Sequence, residues 1–299
     1  MKRVLVTGGT GFIGRWVVDG LANRGCDVRV FDAVPNPAVL DDARPGLSSK
    51  VQIVQGDIAD GSVRQAAQGC DGIVHLAGVL TMAAAEAPIR SAEINVMGAA
   101  HVFEAAREQG MARLVYVSSS AVFGYDDPVH PKPLSLYGAH KLAIEGMARA
   151  YHLDHGITSV GFRPYVVYGP GRSSGIAAGP SIAISSALEG KPARIAFTGR
   201  VGFVHVFDVA RYMVAALLGE TSGAEAYNLC GESAEMEAFR SALLDHVPDA
   251  KVEITGVPLR SPPDLANSPL PQELAGLPVT DIADGIAATL AHYRSRASA

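Results

Sequence analysis

Two side chains placed one helical turn apart have the chemistry for proton transfer. Tyr137 and Lys141 stand in the run YGAHKLAIEGMARAY, whose apolar residues recur at helical spacing, so both side chains share one helix face. A lysine ammonium beside a phenol favours the phenolate and lowers the phenol pKa from about 10 towards neutrality. Such a tyrosine can exchange a proton with a substrate hydroxyl. One strand earlier, residues 118–120 are three serines, and a serine hydroxyl there can hold the same substrate oxygen.

A glycine-rich turn near the start of the chain has the spacing that binds a dinucleotide diphosphate. The stretch TGGTGFIG, residues 7–14, follows an apolar run and leads into apolar positions at helical spacing. Gly8 permits a tight turn, Gly11 lets the backbone approach a phosphate, and Gly14 lets the helix pack close to the strand. Backbone N–H groups at the helix start then face the anion. A tight turn without a ligand is the alternative, but the order strand, turn, helix favours a dinucleotide.

Two aspartates at predicted strand ends bear on the choice of dinucleotide. Asp32 ends the second apolar run, where a carboxylate can accept both hydroxyls of the adenosine ribose and repels a 2′-phosphate. Ala33 and Val34 supply no cation to attract one, so the sequence predicts NAD rather than NADP. Asp57 follows the third run and either meets the adenine amino group, with Ile58 against the ring, or caps the helix predicted over 61–68.

The elements that position these residues alternate between strands and helices. Strands are predicted over 4–6, 27–31, 51–54, 72–78, 113–117 and 158–163, with long helices over 88–109 and from residue 137 to residue 151. This alternation predicts an α/β fold, a Rossmann-type doubly wound parallel sheet with its ligand at the carboxyl ends of the strands.

Beyond residue 165 the pattern changes to a glycine-rich loop over 169–179 and shorter elements. Helices are predicted over 182–188, 209–217, 235–246 and 282–293, and extended segments over 203–206, 226–229 and 252–254. We expect residues 1–165 to form the NAD-binding domain, with residues 203–230 packing back on it. Residues 166–299 then form mainly a small C-terminal α/β substrate-binding region.

Composition excludes several classes of function. The 299 residues are 48% hydrophobic with a net charge of −5 and intermixed signs, so we expect no nucleic-acid groove and no membrane-binding face. Three scattered cysteines, Cys26, Cys70 and Cys230, show no metal-ligand spacing. The first strand starts at the N-terminus, so we expect no signal peptide and a cytoplasmic location.

These segments together resemble the extended short-chain dehydrogenase/reductases, of the NAD-dependent epimerase/dehydratase family. The matching stretches keep the family order: TGGTGFIG from Thr7, GDI from Gly56, HLAG from His75, NVMGA from Asn95, SSSAVFG from Ser118, YGAHK from Tyr137, RPYVVYGPGR from Arg163 and FVHVFDVA from Phe203. The resemblance implies Ser119, Tyr137 and Lys141 as catalytic residues, with Asn95 beside them or in a helix kink. It also implies that Lys141 holds the nicotinamide ribose.

The predicted site contains cofactor and substrate contacts and no metal. Cofactor contacts are expected from the turns after successive strands: Gly8, Gly11, Phe12, Ile13, Asp32, Asp57, Ile58, Leu76, Ala77, Gly78, Val117, Tyr137, Lys141, Pro164 and Val167. Substrate contacts are expected from the strand ends and later loops: Leu80, Thr81, Ser119, Ser120, Ala121, Tyr165, Arg172, Arg200 and His205.

Departures from the family pattern reduce the range of reactions and substrates to be expected. Family dehydratases carry an Asp-Glu pair where this chain has Ser120 and Ala121, so dehydration is not expected. Nucleotide-sugar members place an asparagine and an arginine where this chain has Val166 and Val201. Arg172 and Arg200 remain within possible reach of an anion.

The main prediction is an NAD-dependent oxidoreductase that transfers hydride at a hydroxyl or keto carbon of a sugar-like or other small polyhydroxylated substrate. The alternative is a nucleotide-sugar epimerase without net redox change. A third hypothesis, a redox-sensing binding module, conflicts with the intact catalytic set. His205 is the rival general base, whereas His140 is expected to point away from the face that Lys141 uses.

Surplus apolar residues on two helices predict a homodimer. Ala99, Val102, Phe103, Ala106, Leu142 and Met147 lie on more than one helix face, whereas a helix covering a sheet needs one apolar stripe. Pairing of these helices with their copies across a two-fold axis would bury the apolar residues that do not face the sheet.

Overall fold

The computed structural model describes residues 2–297 and centres on one parallel sheet. Its seven strands are β1 (Arg3–Thr7), β2 (Asp27–Asp32), β3 (Gln52–Gln55), β4 (Gly72–His75), β5 (Arg113–Val117), β6 (Thr158–Pro164) and, after further strands, β10 (Ala224–Leu229). Their order is β10-β6-β5-β4-β1-β2-β3, and every pairing is parallel. The strand order reverses between β1 and β4, which is where a doubly wound sheet opens its ligand crevice. The predicted fold class is confirmed.

The helices cover both faces of this sheet. In chain order they are α1 (Gly14–Asn23), α2 (Pro37–Ala43), α3 (Val63–Ala66), α4 (Thr81–Glu86), α5 (Pro88–Ala92), α6 (Gly98–Glu108), α7 (Leu136–His155), α8 (Gly179–Leu188), α9 (Val206–Leu218), α10 (Met236–His246), α11 (Gln272–Ala275) and α12 (Ile282–Ala297). Short 3₁₀ turns cover Ser48–Lys50, Ile58–Asp60, Ser120–Val122 and Ile176–Ala178, and a π-helical turn covers Glu93–Met97. The helix predicted over 88–109 is therefore α5, the π turn and α6 in succession, and the one predicted over 61–68 is the single turn α3.

Alternation along the strands builds two core layers. Successive side chains of a strand point to opposite faces, and Val4, Leu5 and Val6 of β1 are all fully buried. Val4 and Val6 belong to the core formed with α1 and α9. Leu5 belongs to the core formed with α6 and α7. A strand covered on both sides reads as an unbroken apolar run, and this is the pattern of the first strand.

Smaller sheets form beyond residue 165. β7 (Val166–Tyr168) pairs with β9 (Arg200–His205), which pairs antiparallel with β11 (Glu232–Glu235), and β8 (Ala193–Thr198) pairs with β12 (Val252–Pro258). Three of these strands were not predicted: β7 has only three residues, β8 was missed, and β11 is a mostly exposed polar edge strand, ESAE. The domain division at residue 165 stays a prediction; α9 and β10 pack in the layers of the large sheet.

The described residues contain neither a helix that could cross a membrane nor a cluster of metal-binding side chains. No helix within residues 2–297 has the length and apolar character to cross a bilayer. The same residues hold no group of three or more His, Cys, Asp or Glu side chains placed to bind a metal ion.

Candidate active site

The glycine turn joins β1 to α1 with little room for side chains. Gly8 has φ +67° and its N–H donates to the Phe31 carbonyl at 2.8 Å. A Cβ at Gly8 would lie 2.8 Å from the Ala77 nitrogen, and one at Gly14 would overlap the Gly8 carbonyl oxygen. No side chain caps the first turn of α1. The turn therefore brings backbone, rather than side chains, to the crevice where a diphosphate binds.

Asp32 is fixed beside that turn. Its Oδ2 accepts hydrogen bonds from the Thr10 N–H at 3.2 Å and the Thr10 hydroxyl at 2.6 Å, and its Oδ1 accepts one from the Val34 N–H at 3.3 Å. The carboxylate is half-buried at the carboxyl end of β2. This is the position from which a carboxylate meets the adenosine ribose hydroxyls.

Asp57 caps the helical turn that follows it. Its Oδ1 accepts a hydrogen bond from the Ala59 N–H at 2.9 Å, and its other oxygen forms an ion pair with Arg90. Ile58 is buried and packs on Gly98 of α6. The sequence left open that Asp57 caps the helix over 61–68; in the structure it caps the Ile58–Asp60 turn instead, and Ser62 stands at the start of α3. The adenine contact of Asp57 and Ile58 stays a prediction.

Asn95 holds the loop after β4 in place. Its Oδ1 accepts from the Val79 N–H at 2.9 Å, and its Nδ2 donates to the Val79 carbonyl at 3.0 Å. A Cβ at Gly78 would lie 2.8 Å from Asn95 Oδ1 and 4.0 Å from Lys141 Nζ. Asn95 lies in the π-helical turn, a distortion that often marks functional sites. It positions the turn of Leu76, Ala77 and Gly78 against Lys141.

Tyr137 and Lys141 meet near the start of α7, as their spacing predicts. The Ser135 hydroxyl caps this helix by accepting from the Gly138 N–H at 3.1 Å. Lys141 Nζ lies 5.6 Å from the Tyr137 ring centroid and donates to the Val117 carbonyl at 2.8 Å. Lys141 is buried, so its ammonium is held under the tyrosine rather than in solvent.

Ser119 contacts the same phenol from the end of β5. Its Oγ accepts from the Ala121 N–H at 3.1 Å, and its side chain is near enough to Tyr137 to lower the pKa of the phenol. Ser120 is buried and Ala121 lies against α7, where Gly138 leaves room for the Ala121 carbonyl. The structure thus brings the three predicted catalytic residues together at the carboxyl edge of the sheet.

The charges around the phenol differ from the prediction. Burial raises the pKa of Tyr137, while the Ser119 side chain and the Arg172 guanidinium lower it. Burial also lowers the pKa of Lys141 to about 8, although the negative charge of Glu145 acts to raise it. The expected depression of the Tyr137 pKa by Lys141 is therefore not observed. Arg172 is the cation that favours the phenolate.

A buried carboxylate on α7, that of Glu145, was missed from the sequence. Glu145 Oε1 accepts from the Ser118 hydroxyl at 2.5 Å and from Arg163 Nε at 2.7 Å, and its Oε2 accepts from Arg163 Nη2 at 2.6 Å. These bonds connect α7 to the ends of β5 and β6, next to the predicted catalytic residues. The signal was present, because Glu145 lies four residues beyond Lys141 on the same helix face.

Other predicted site residues lie at the end of β6, in the strand that follows and in the loop after β4. Pro164 and Val167 are buried, and the Val167 carbonyl accepts a hydrogen bond from Arg172. The Tyr165 hydroxyl donates to the Ser261 carbonyl at 3.2 Å. Leu80, just before Thr81, extends towards Gly175, where an added Cβ would meet its Cδ1 at 3.2 Å.

Two residues that were predicted to contact the substrate, His205 and Arg200, lie away from Ser119, Tyr137 and Lys141. His205 is fully buried, with its Nε2 3.1 Å from the Thr289 hydroxyl of α12 and its ring against Tyr168 and Phe207. It has no surface to offer a substrate, because apolar packing encloses it. Arg200 lies on the exposed strand pair β9–β11, where it donates to the Ser233 carbonyl at 2.9 Å and pairs with Glu235.

Comparison with known proteins assigns the family. A model of the NAD-dependent epimerase/dehydratase family matches residues 4–230. A 3-beta-hydroxysteroid dehydrogenase of Mycolicibacterium neoaurum is 34% identical over 186 residues, 57% of this chain and 49% of that protein. A putative UDP-glucose 4-epimerase of Methanocaldococcus jannaschii is 30% identical over 227 residues, 72% of this chain and 73% of that protein.

Solved structures agree with the fold. The UDP-glucose 4-epimerase of Thermus thermophilus in complex with NAD has a TM-score of 0.82 and 27% identity, covering 98% of this chain and 99% of that one. The chain spans about half the length of the first curated relatives it matches. The glycine turn and the grouping of Ser119, Tyr137 and Lys141 agree with the matched family model. This chain therefore belongs to the NAD-dependent epimerase/dehydratase family.

Proposed function

We propose that this protein is an NAD-dependent oxidoreductase acting at a hydroxyl or keto carbon of a sugar-like or other small polyhydroxylated substrate. One observation carries the proposal: Ser119, Tyr137 and Lys141 converge at the carboxyl edge of the sheet, beside the Gly78 turn. A proton carrier, its aligning hydroxyl and a dinucleotide crevice in one place are what hydride transfer at such a carbon requires.

The residues present fit NAD. The glycine turn admits a diphosphate because Cβ atoms at Gly8 and Gly14 would clash, and Asp32 is held where ribose hydroxyls are bound. When bound, NAD accepts or supplies the hydride. Tyr137 exchanges the proton with the substrate oxygen, Ser119 orients that oxygen, and Lys141 is placed to hold the nicotinamide ribose.

Neither nearby histidine suits the role of general base. Burial lowers the pKa of His205 to about 4, and its Nε2 already faces Thr289. His140 is buried with its Nδ1 3.4 Å from Asn95 Nδ2, and burial lowers its pKa as well. Tyr137 therefore remains the proton carrier.

The walls of the site favour a substrate without a diphosphate. Val166 and Val201, at the positions where nucleotide-sugar members carry polar residues, are buried. Arg200 pairs with its own strand neighbours. The alternative, an NAD-dependent nucleotide-sugar epimerase without net redox change, draws its support from the epimerases among the similar proteins.

A second candidate substrate class is a hydroxyl or keto compound with an apolar skeleton. Four apolar side chains are about half exposed near the catalytic residues: Leu80, Met82, Leu136 and Ile176. They favour a substrate with an apolar skeleton. The similar proteins include a 3-beta-hydroxysteroid dehydrogenase and a dihydroflavonol 4-reductase.

A substrate panel with added NAD tests the proposal. Sugar acids, polyols, hydroxysteroids and UDP-sugars are each incubated with protein and NAD while NADH absorbance is followed. We expect net NADH formation with a non-nucleotide substrate. Conversion of a UDP-sugar to its epimer without NADH would instead establish the alternative.

Tyr137→Phe then tests the residue assignment on the active substrate. General acid–base catalysis contributes about a hundred- to ten-thousand-fold in rate, so turnover should fall by that order while NAD affinity changes little. Ser119→Ala should reduce turnover less than Tyr137→Phe does, and Lys141→Ala should lower both turnover and NAD affinity. Retained activity in Tyr137→Phe, with loss in His205→Ala, would overturn the assignment.

We also propose that the protein is a cytoplasmic homodimer. Its three cysteines are all free, which suits a reducing compartment. Ala99, Val102, Phe103 and Ala106 pack inside the protomer, so they no longer support dimerisation. Exposed Ile89, Met97 and Leu153 on α5, the π turn and α7 offer apolar contact instead. Light scattering at micromolar concentration should give twice the chain mass of 31.1 kDa; a monomer mass would contradict the proposal.

A further inference from the structure

Arg172 lies between the glycine turn and the catalytic tyrosine. It belongs to the loop between β7 and α8, and its guanidinium carbon is 5.5 Å from the Phe12 ring centroid. One guanidinium nitrogen donates to the Val167 carbonyl, and the charge acts on Tyr137. Phe12 is part of the turn whose N–H groups face a diphosphate, so the guanidinium is next to that position.

The charge of Arg172 has no carboxylate partner among residues 2–297. Burial lowers its pKa to about 10, and the only group raising it is the Tyr137 phenol. Arg172 is half-buried, and two other arginines of this region with little exposure are neutralised: the buried Arg15 by Asp42 at 3.2 Å and the half-buried Arg163 by Glu145 at 2.6 Å. A cation that is partly removed from water and has no counterion loses hydration free energy, and an anionic ligand would compensate for this loss.

The base of the Arg172 loop is attached to α1, the helix that follows the glycine turn. The Trp16 indole N–H donates to the Pro170 carbonyl at 3.3 Å. The Gly171 N–H donates to the Tyr293 hydroxyl at 3.0 Å, and Gly171 has φ +90° with Arg15 close beside it. Arg172 is thus positioned relative to the start of α1 rather than left on a free loop.

We propose that Arg172 binds the diphosphate of the dinucleotide, with its guanidinium opposite the N–H groups of the glycine turn. The planar guanidinium offers several donors to phosphate oxygens, and charge-assisted hydrogen bonds of this kind are short and strong. The inference rests on the proposed function only in requiring that a dinucleotide binds. It reassigns Arg172 from the substrate contacts to the cofactor contacts.

Equilibrium binding without turnover tests the proposal. NAD, ADP and adenosine are titrated into wild-type protein, Arg172→Gln, Arg172→Lys and the control Arg240→Gln, whose exposed arginine pairs with Glu237 on α10. Calorimetry gives the affinities. Emission of Trp16, the one tryptophan in the chain, reports on the loop through its bond to Pro170. Circular dichroism and melting temperature confirm that each variant is folded.

Arg172→Gln should weaken NAD and ADP about 10- to 100-fold, the range for a hydrogen-bonded charge, and leave adenosine unchanged. The NAD and ADP affinities of Arg172→Lys should lie between those of wild type and Arg172→Gln, because a lysine keeps the charge but lacks the planar guanidinium. The NAD affinity of wild type should fall more steeply with salt than that of Arg172→Gln.

Unchanged NAD and ADP affinities in a folded Arg172→Gln would overturn the proposal, as would an equal loss for adenosine. An effect confined to the substrate KM would also overturn it and return Arg172 to the substrate site. Because these titrations need no turnover, their result is independent of the Tyr137→Phe test of the proposed function.

Discussion

At the scale of single residues, surroundings rather than residue type set the acid–base properties of the site. Burial raises the pKa of Tyr137 and lowers that of Lys141 to about 8. The lysine ammonium donates to the Val117 carbonyl, and the cation that lowers the tyrosine pKa comes from a distant loop. A phenol and an ammonium one turn apart on a helix are therefore not sufficient to define a phenolate.

Asp32 should determine the choice between NAD and NADP. Asp32→Ala removes the carboxylate that can bind ribose hydroxyls and repel a 2′-phosphate. We expect weaker NAD binding and a smaller preference over NADP, measured by titration of both. Thr10→Val is the matched control: it keeps the carboxylate but removes the 2.6 Å hydrogen bond that holds it, so its effect should be smaller. A wild-type preference for NADP would show the interpretation of Asp32 to be wrong.

At the scale of elements, α7 carries Tyr137, Lys141 and Glu145 and must lie at a fixed distance from β5. Gly138 sets this distance, because a Cβ there would overlap the Ala121 carbonyl oxygen and lie 3.1 Å from Pro133 Cβ. The ion pair of Glu145 with Arg163 holds the helix further along. The relative positions of the predicted catalytic residues therefore depend on how closely α7 packs on the loop after β5.

Gly138→Ala should displace Tyr137 from Ser119. We expect a lower melting temperature and at least a tenfold loss of turnover, since the new Cβ meets backbone that cannot move freely. Gly146→Ala on the same helix meets nothing within 4 Å and should stabilise the protein by about 0.5–1 kcal/mol through helix propensity. Thermal unfolding and activity of both variants are the measurements. Equal behaviour of the two would contradict this account of α7.

At the scale of the whole molecule, two buried histidines couple stability to pH. His75 lies in the middle of the large sheet, with Nδ1 2.9 Å from the Thr7 hydroxyl, and burial lowers its pKa to about 3. His205 connects β9 to α12 through Thr289, and burial lowers its pKa to about 4. Both are neutral in the folded protein near pH 7.

Stability should fall as the pH drops below 6.5. The unfolded chain then binds more protons than the folded one, because both folded-state pKa values lie below the ordinary 6.5. For His205 alone the loss between pH 6.5 and 5 is about 1.5 kcal/mol. His205→Gln should reduce the pH dependence of the free energy of unfolding over this range. His130→Gln, at a mostly exposed side chain, should not. An unchanged slope in His205→Gln would contradict the prediction.

The sequence by itself determined the doubly wound sheet and most of its strands. Buried strands read as apolar runs because both faces are covered, and glycine, proline and capping residues mark where elements meet. It also determined Tyr137 with Lys141 and the glycine turn, since these depend on residues close in the chain. Polar edge strand β11 lacked any such signal, because an exposed edge needs no apolar pattern.

Only the tertiary structure decided which distant groups meet. It brought Arg172 to Phe12 and Tyr137, joined Glu145 to Arg163 and Ser118, and tied Asn95 to Val79. It also buried His205 against α12 and left Arg200 on an exposed strand pair. Sequence spacing fixes neighbours along one helix or turn, whereas contacts between elements, and the desolvation that shifts their pKa values, depend on how the elements pack.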